Sequence, residues 1–359
     1  MTLRHDESLI EPTLSPLVAD LAEADGPADE AGVWPSRLWA ILETAQVARW
    51  ALPRSLGGEE CDRSTLLGRY ARVAEGSMTG AFILSQHDAA VRRLLAAVDR
   101  PVARRWLGAI AEGRTLATVG LSQLTTSRRL GPQAVRAEEV APGRYRVDGT
   151  IPWVTAAGRA QILVVGAATV DGRQLLIALP AGHPGVTVRP PFSLAALQAS
   201  CTAEVACEGV EVGESDLLAG PVPDVMANPA AAGTGGLETS ALALGQALAA
   251  LGALEAEDRP DLAEPAGALR AAWQSTWDDL LATAEARPGA PTPAEVRGRS
   301  NALVLRLTQA HLTARKGSGF LRDDPAQRWA RQALFFLVWS CPGPVAQASI
   351  RDFAGICAL

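Results

Sequence analysis

The hydrophobic pattern changes twice along this 359-residue chain, and these changes constrain the fold more than any other feature of the sequence. From Trp34 to Gly113 apolar residues recur at the spacing of amphipathic helices. From about Leu116 the chain changes to short β-branched or apolar segments separated by turn residues, which is typical of strands. Beyond a Pro-, Ala- and Gly-rich segment over Gly220 to Gly236, helical spacing returns and continues to the C-terminus.

This pattern predicts an α+β chain with a helical domain over residues 1–114, a β domain over residues 115–220 and a second helical domain over residues 235–359. Strands at such regular spacing indicate a small barrel or sandwich. Thr292 to Glu295 has the Thr, Pro and Glu positions of a capped helix start. The longest apolar run, Leu237 to Leu254, is interrupted by polar and glycine residues, so we interpret it as a buried helix and not as a membrane span.

Charge, cysteine and histidine content argue against several classes of function. The formal net charge of −6 leaves no basic surplus for a nucleic-acid backbone, so nucleic acid is not an expected partner. The five cysteines include no Cys-x-x-Cys pair and the four histidines have no metal-ligand spacing, so we expect neither disulfides nor a metal site. The N-terminus lacks the basic and apolar segments of a signal peptide, and we expect a cytoplasmic protein.

Specific residue strings occur in order along this pattern. Pro53 to Gly58 has the form Pro-x-x-x-Gly-Gly, and Val147-Asp148-Gly149 precedes Pro152-Trp153-Val154-Thr155. These strings resemble the acyl-CoA dehydrogenase family, in which the second one reads Gly-x-Lys-x-Trp-Ile-Thr. The resemblance covers most of the chain. It implies an N-terminal α-helical domain, a small β-barrel middle domain, a C-terminal four-helix bundle, and FAD as the cofactor.

The resemblance places a flavin-binding wall on the strand that contains Trp153, Val154 and Thr155. A flavin ring needs an aromatic or apolar wall and hydrogen-bond donors at its polar edge. Residues two apart on a strand point to one side, so Trp153 can supply the wall and Thr155 a donor while Val154 packs behind. The alternative is that Trp and Thr, both common in strands, simply fill a β core.

A second flavin contact is implied upstream, in the string from Val119 to Ser127. Leu121 and Ser122 occupy the place of the family's flavin-edge residues, with Ser122 at the position of a Thr. Ser127 aligns with the serine of the family motif once one residue is deleted, and the acidic and glycine members of that motif are absent. The alternative is a Ser/Thr-rich loop that caps its own backbone.

The reaction implied by the resemblance is α,β-dehydrogenation of an acyl thioester, in which a carboxylate removes the α-proton and a hydride passes to flavin N5. Ser340 stands where most family members have the catalytic Glu, and a hydroxyl is too weak a base to replace it. A minority carries its base seven residues before a Gly, and Glu238 stands in that relation to Gly245. We therefore predict Glu238 as the base. Alternatively, Glu238 only complements the dipole of its helix.

The resemblance also implies the partners. We expect an acyl thioester of CoA or of a carrier protein as substrate, a homodimer or homotetramer, and electron-transfer flavoprotein as a candidate partner. The pair Arg128-Arg129 can meet thioester phosphates or remain solvated. The family's adenine-side strings have no good match in Glu255 to Gly267 or in Thr313 to Gly319, which weakens the expectation of tight FAD binding.

Two hypotheses from other classes stay open. A flavin-dependent monooxygenase or oxidase on the same scaffold would account for Ser340, because oxygen activation at the flavin needs no α-proton base. A non-catalytic relative that retained the helices and the β domain would account for the decayed adenine-side strings.

Overall fold

The chain alternates between helices and strands in the order that its sequence predicts. The computed structural model describes residues 12–125, 134–227 and 236–356. Within these residues five α-helices come first, an eight-stranded sheet follows, and five further α-helices complete the fold. The predicted α+β class, with helical regions on either side of a sheet domain, is confirmed.

Helix α4 (Met78–Ala96) is the centre of the N-terminal part, because 15 of its 19 residues are buried. It starts at the N-cap Ser77, whose side chain accepts a hydrogen bond of 3.0 Å from the Gly80 backbone N–H. Leu84 packs into the helical core and Ile83 into the sheet core, so α4 joins the two. The N-terminal helices are α1 (Ser15–Ala31), α2 (Ser36–Thr44), α3 (Arg63–Gly76), α4 (Met78–Ala96) and α5 (Pro101–Ala111).

The strands form one mixed sheet. Strands β1 (Ala117–Gly120) and β2 (Val135–Ala141) pair with β4 (Ile162–Thr169) in parallel, and all other pairs among the described residues are antiparallel. The hydrogen-bonded order is β6-β7-β3-β2-β4-β5-β8, with β1 beside β4. The strands are β1 (Ala117–Gly120), β2 (Val135–Ala141), β3 (Arg144–Val154), β4 (Ile162–Thr169), β5 (Gln174–Pro180), β6 (Val186–Val188), β7 (Ala203–Gly213) and β8 (Leu217–Val222).

The small β domain is therefore present, but the described strands do not close into a hydrogen-bonded ring. Strands β6 and β8 stand at opposite ends of the order and do not pair with each other. One side of the sheet packs around Ile151, Val165 and Val205, all fully buried. Strand β4 is buried at every position, because helices and neighbouring strands cover both of its faces.

Helix α6 (Leu237–Ala256) is the central helix of the C-terminal part and packs against α3, α7 (Pro260–Ala284) and α8 (Pro293–Arg315). It is long and apolar enough to cross a membrane by composition alone, and 72% of its most apolar window is buried inside the protein. Helix α8 begins with the predicted capping box, in which Thr292 and Glu295 bond each other's backbone N–H groups. A fifth helix joins the four of the predicted bundle. The helices are α6 (Leu237–Ala256), α7 (Pro260–Ala284), α8 (Pro293–Arg315), α9 (Pro325–Ala333) and α10 (Gly343–Phe353).

Candidate active site

A cavity of about 260 Å³ lies where α4, the ends of β1 and β3 and the segment before α10 meet. We call it the main cavity. Its size is near the lower end of small-molecule sites, which span roughly 300–1,000 Å³. The residues that line it are Phe82, Gln86, Val119, Leu121, Ser122, Thr125, Trp153, Thr155, Leu194, Leu197, Thr202, Phe335, Val338, Trp339 and Ser340.

Two of the predicted flavin-wall residues, Trp153 and Thr155, line this cavity together. The Trp153 side chain is 47% exposed and packs on Phe192, with ring centroids 4.6 Å apart. Thr155 is buried, and Val154 between them is fully buried in the sheet core. The alternation of the strand produces this arrangement, because successive side chains point to opposite faces. The side chain of Val154, also predicted at the flavin, lies behind the wall.

Leu121 and Ser122 reach the same cavity from the end of β1. The turn that follows β1 is fixed by Gln123, whose side-chain amide donates to the carbonyl oxygens of Gly120 at 2.9 Å and Gly166 at 2.8 Å. The Oγ of Ser122 is buried and has no hydrogen-bond partner among the described residues. Such a group costs free energy unless a ligand or water bonds to it. Ser127 lies outside the described residues.

A chain of hydroxyl groups extends from Thr155 into the loop before β7. The Oγ1 atoms of Thr155 and Thr202 are 3.3 Å apart, and Ser200 Oγ lies 2.9 Å from Thr202 Oγ1. Thr118 Oγ1 donates to the backbone carbonyl of Thr155 at 2.8 Å and so fixes this end of the chain. Thr202 is a lining residue that the sequence patterns did not indicate, since it comes from a loop about fifty residues further along the chain.

The opposite wall of the main cavity is aromatic. Phe335 and Trp339 stack with ring centroids 5.3 Å apart and planes inclined by 12°. Phe82 meets Trp339 edge-on at 4.8 Å and Phe335 edge-on at 5.0 Å. Ser340 follows Trp339 and also lines the cavity, so the residue that replaces the family's usual Glu is present at the site.

Glu238, the predicted base, is not among the residues that line the main cavity. It lies in the first turn of α6, where its Oε1 is 3.3 Å from an Arg92 nitrogen and 3.8 Å from an Arg63 nitrogen. Its side chain is 19% exposed. The start of α6 faces α3 and α4, so this position directs the carboxylate to their arginines. The structure therefore does not place Glu238 where a base would act in this cavity.

A second carboxylate of the same cluster, Asp88, is fully buried. Asp88 accepts a hydrogen bond from the Tyr70 hydroxyl. Burial raises the pKa of Asp88 to about 7, although Tyr70 and Arg92 both act to lower it. Asp88 and Gln86 are two residues apart on α4 and point in different directions, so Gln86 lines the cavity and Asp88 does not.

The described wall of the main cavity thus carries hydroxyl and amide groups but no carboxylate, histidine, lysine or arginine. The cavity can donate and accept neutral hydrogen bonds and can exclude water. Among the described lining residues no side chain can act as a general base near neutral pH.

The residues present fit a flavin ring. Trp153 offers an aromatic face, and the unpartnered Ser122 Oγ and the Thr155 hydroxyl are polar groups at its edge. The described wall has no cationic side chain that could bind the phosphates of FAD. A cavity of about 260 Å³ is also too small for the whole dinucleotide. Any such part of the cofactor has to lie outside the main cavity.

No protein-family model matches this chain. Over 246 residues it is 26% identical to a probable acyl-CoA dehydrogenase, YngJ, of Bacillus subtilis (strain 168). The match covers 62% of this chain and 64% of that protein, which is less than two thirds of the relative's length.

Solved structures of two kinds share the fold. Butyryl-CoA dehydrogenase from Megasphaera elsdenii superposes with a TM-score of 0.80 at 17% identity, covering 99% of this chain and 100% of that one. The dibenzothiophene monooxygenase TdsC from Paenibacillus sp. A11-2, in complex with FMN and indole, superposes with a TM-score of 0.79 at 18% identity, covering 99% and 98%. At these identities the likenesses establish the fold.

Proposed function

We propose that this chain, which shares the acyl-CoA dehydrogenase fold and is related to that family in sequence, is a flavin-dependent enzyme that oxygenates a small, largely apolar aromatic compound. One observation carries the proposal. No side chain on the described wall of the main cavity is charged at neutral pH.

Dehydrogenation of an acyl thioester requires a base at the α-carbon. The α-proton is weakly acidic, so the base has to be a carboxylate within hydrogen-bond reach of it. Glu238 is held by Arg92 and Arg63 outside the main cavity, and Ser340 cannot serve as the base without assistance. Oxygenation of an aromatic ring has no such requirement, because no α-proton is removed. The wall chemistry supports oxygenation over dehydrogenation.

A bound flavin would supply two-electron transfer and the reaction with dioxygen. Trp153 would cover one face of its ring, and the Ser122 and Thr155 hydroxyls would hydrogen-bond its polar edge. The described wall carries no cationic side chain, so the phosphate of FMN or the phosphates of FAD would have to lie outside the main cavity, and the wall does not distinguish the two flavins. FMN is the flavin in the TdsC complex.

The aromatic side of the cavity supports the choice of substrate class. Phe82, Phe335 and Trp339 form an apolar surface on which a planar ring can stack. Gln86 is the only amide on the described wall and can orient one polar group of the substrate. These side chains would exclude water from the reacting ring and hold it against the flavin.

The decisive experiment uses protein reconstituted with FMN and, in parallel, with FAD. The reduced protein is mixed with ¹⁸O-labelled dioxygen and indole, and the product is examined by mass spectrometry. We expect one labelled oxygen atom in the product and the other in water, with the two electrons supplied by the reduced flavin. Phe82→Ala should lower the product yield, whereas the exposed surface variant Thr187→Ala should not.

Dehydrogenation of an acyl thioester is the second candidate, because the similarity to YngJ favours it. Its test is anaerobic titration of the oxidised protein with a panel of acyl-CoA and acyl-carrier-protein thioesters, alongside Glu238→Gln. Bleaching of the wild type but not of Glu238→Gln, with no labelled product from aromatic compounds, would replace oxygenation by dehydrogenation. It would also require Glu238 to leave Arg92 when substrate binds.

We also propose that the chain forms a homodimer or homotetramer. Apolar side chains on the C-terminal helical part support this, since Phe320 is 78% exposed and Ile350 and Phe353 are exposed as well. Light scattering of the purified protein measures the state directly. A monomer at micromolar concentration would contradict the proposal.

A further inference from the structure

A second cavity, of about 550 Å³, lies beside α4 and shares no lining residue with the main cavity. Trp39 of α2, His87 of α4 and Ile110 of α5 line it, together with Leu116 before β1 and Gln161 before β4. Its volume is within the usual range of small-molecule sites, roughly 300–1,000 Å³. We call it the second cavity.

The wall of the second cavity includes His87, which has a buried hydrogen-bond donor without a partner among the described residues. His87 is fully buried, and its Nδ1 accepts a hydrogen bond of 3.0 Å from the Ala117 backbone N–H. The proton of the neutral ring is therefore on Nε2. Burial lowers the pKa of His87 to about 4, so the ring is neutral at pH 7. Nε2 has no hydrogen-bond partner among the described residues. A buried N–H without a partner costs free energy, and a ligand oxygen that accepted its hydrogen bond would remove this cost.

The same cavity has an indole wall. Trp34 and Trp39 lie with ring centroids 5.9 Å apart and planes inclined by 52°. Trp39 also meets the His87 ring edge-on at 6.4 Å. The Arg159 guanidinium is placed over the Trp34 ring, 5.8 Å from its centroid. A planar ring could pack on these indoles with a cation at its edge.

The charged groups of the second cavity leave a positive excess. Three arginines and two glutamates line it: Glu112 is paired with Arg114, and Glu43, which accepts a hydrogen bond of 2.7 Å from the neutral Trp39 indole, is outnumbered by the other two arginines. Arg49 is held only by neutral oxygen atoms, and Arg159 has no carboxylate partner within the described part of the chain. The two arginines are therefore available to an anion.

We propose that the second cavity binds a small aromatic carboxylate. Its ring packs on Trp34 and Trp39, its anionic group meets Arg159 and Arg49, and an acceptor oxygen takes the His87 Nε2–H. An aromatic wall, an unpartnered buried donor and two arginines without a carboxylate partner among the described residues favour this class over neutral or cationic ligands. The site is independent of the chemistry proposed for the main cavity.

The test is calorimetric titration of the full-length chain with 2-naphthoate and with its neutral counterpart 2-naphthamide. We expect saturable one-to-one binding of the naphthoate and at least about tenfold weaker binding of the amide, the loss expected for one charge-assisted hydrogen bond. Arg159→Gln should weaken naphthoate binding about fivefold or more. Arg306→Gln, which changes an exposed arginine on α8, should leave it unchanged.

Two further measurements locate the bound molecule. Trp153→Ala, which alters the main cavity, should not change the naphthoate affinity, whereas Trp34→Leu should weaken it. Because His87→Gln can disturb folding, the His87 Nε2–H resonance is followed by ¹⁵N NMR in the unmodified protein and should shift on binding. The proposal is overturned by unsaturable binding, by equal affinity for the amide, or by loss of binding in Trp153→Ala with retention in Arg159→Gln.

Discussion

The guanidinium of Arg297 donates a hydrogen bond of 2.9 Å to the backbone carbonyl of Trp339, immediately before Ser340. Arg297 is almost fully buried, and its Nε donates to the Asn301 side chain at 2.8 Å. Ser340 has a φ of 44°, a left-handed conformation that residues other than glycine seldom adopt. Arg297 therefore fixes the main-cavity wall next to a residue with an unfavourable backbone conformation.

Replacing Arg297 by Met should destabilise the fold. The change leaves the Trp339 carbonyl and Asn301 without their buried donor, and the cost of such losses is roughly 2–3 kcal/mol. Urea unfolding measures it. Arg299→Met is the matched control on α8, since its side chain is 51% exposed in a surface ion pair with Asp279. The control should lose less than about 1 kcal/mol. Equal losses would mean that the Arg297 hydrogen bonds do not stabilise this wall.

Gly245 should not tolerate a methyl group, because α6 crosses α3 there in direct backbone contact. A Cβ at position 245 would lie 2.1 Å from the Ala71 carbonyl oxygen. Gly245→Ala should therefore lower the free energy of unfolding by roughly 2–3 kcal/mol, as overpacking does. Gly252→Ala on the same helix meets no atom within 4 Å and should be neutral or stabilising. Unfolding midpoints in urea compare the two, and similar effects would argue against close packing at position 245.

A buried ion pair should hold α1 to α9. Arg328 Nε is 2.8 Å from Asp25 Oδ2, and both side chains are less than a tenth exposed. Ser77 donates a hydrogen bond of 2.6 Å to the same carboxylate. Arg328→Met leaves this carboxylate buried and uncompensated, at a cost of roughly 3–5 kcal/mol. Arg331→Met, which breaks the more exposed pair with Asp29 between the same helices, should cost about 1 kcal/mol or less.

Two neighbouring residues on α4 should make opposite contributions to the pH dependence of stability. Burial raises the pKa of Asp88 to about 7, so folding favours its protonated form and stability falls as the pH rises from about 4 to 7. Burial lowers the pKa of His87 to about 4, so folding favours its neutral form and stability increases as the pH rises from about 4 to 6.5.

Single variants separate these two contributions. Asp88→Asn removes the carboxylate whose ionisation lowers the stability as the pH rises. The unfolding free energy of this variant should therefore rise more steeply than that of the wild type between about pH 4 and 6.5. His87→Gln should have the opposite effect over the same range. Urea unfolding at several pH values measures both slopes. Parallel pH profiles for the wild type and Asp88→Asn would contradict the prediction for the carboxylate.

The sequence alone was sufficient to predict those main-cavity residues whose placement depends on local backbone geometry. Trp153 and Thr155 reach one cavity and Val154 does not, because the two-residue period of a strand is set by the backbone alone. The order of helical and β regions follows from the hydrophobic periodicity in the same way.

Residues placed by long-range packing could not be predicted from spacing. The direction of Glu238 depends on how α6 lies against α3 and α4, and its distance in sequence from Gly245 carries no information about that contact. Phe82 and Trp339 meet although about 260 residues separate them. The second cavity likewise joins segments from residue 34 to residue 161, whose patterns individually indicate only ordinary helices and strands.

Ser122→Ala should weaken the binding of flavin. The buried Oγ of Ser122 has no partner among the described residues, so a flavin that bonds to it gains one neutral hydrogen bond of about 0.5–1.5 kcal/mol. We expect a dissociation constant about three- to tenfold higher, measured by quenching of FMN fluorescence. Thr125→Val is the matched control, because the Thr125 hydroxyl already faces the backbone carbonyls of Leu121 and Ser122. If both variants bind FMN as the wild type does, Ser122 does not contact the flavin.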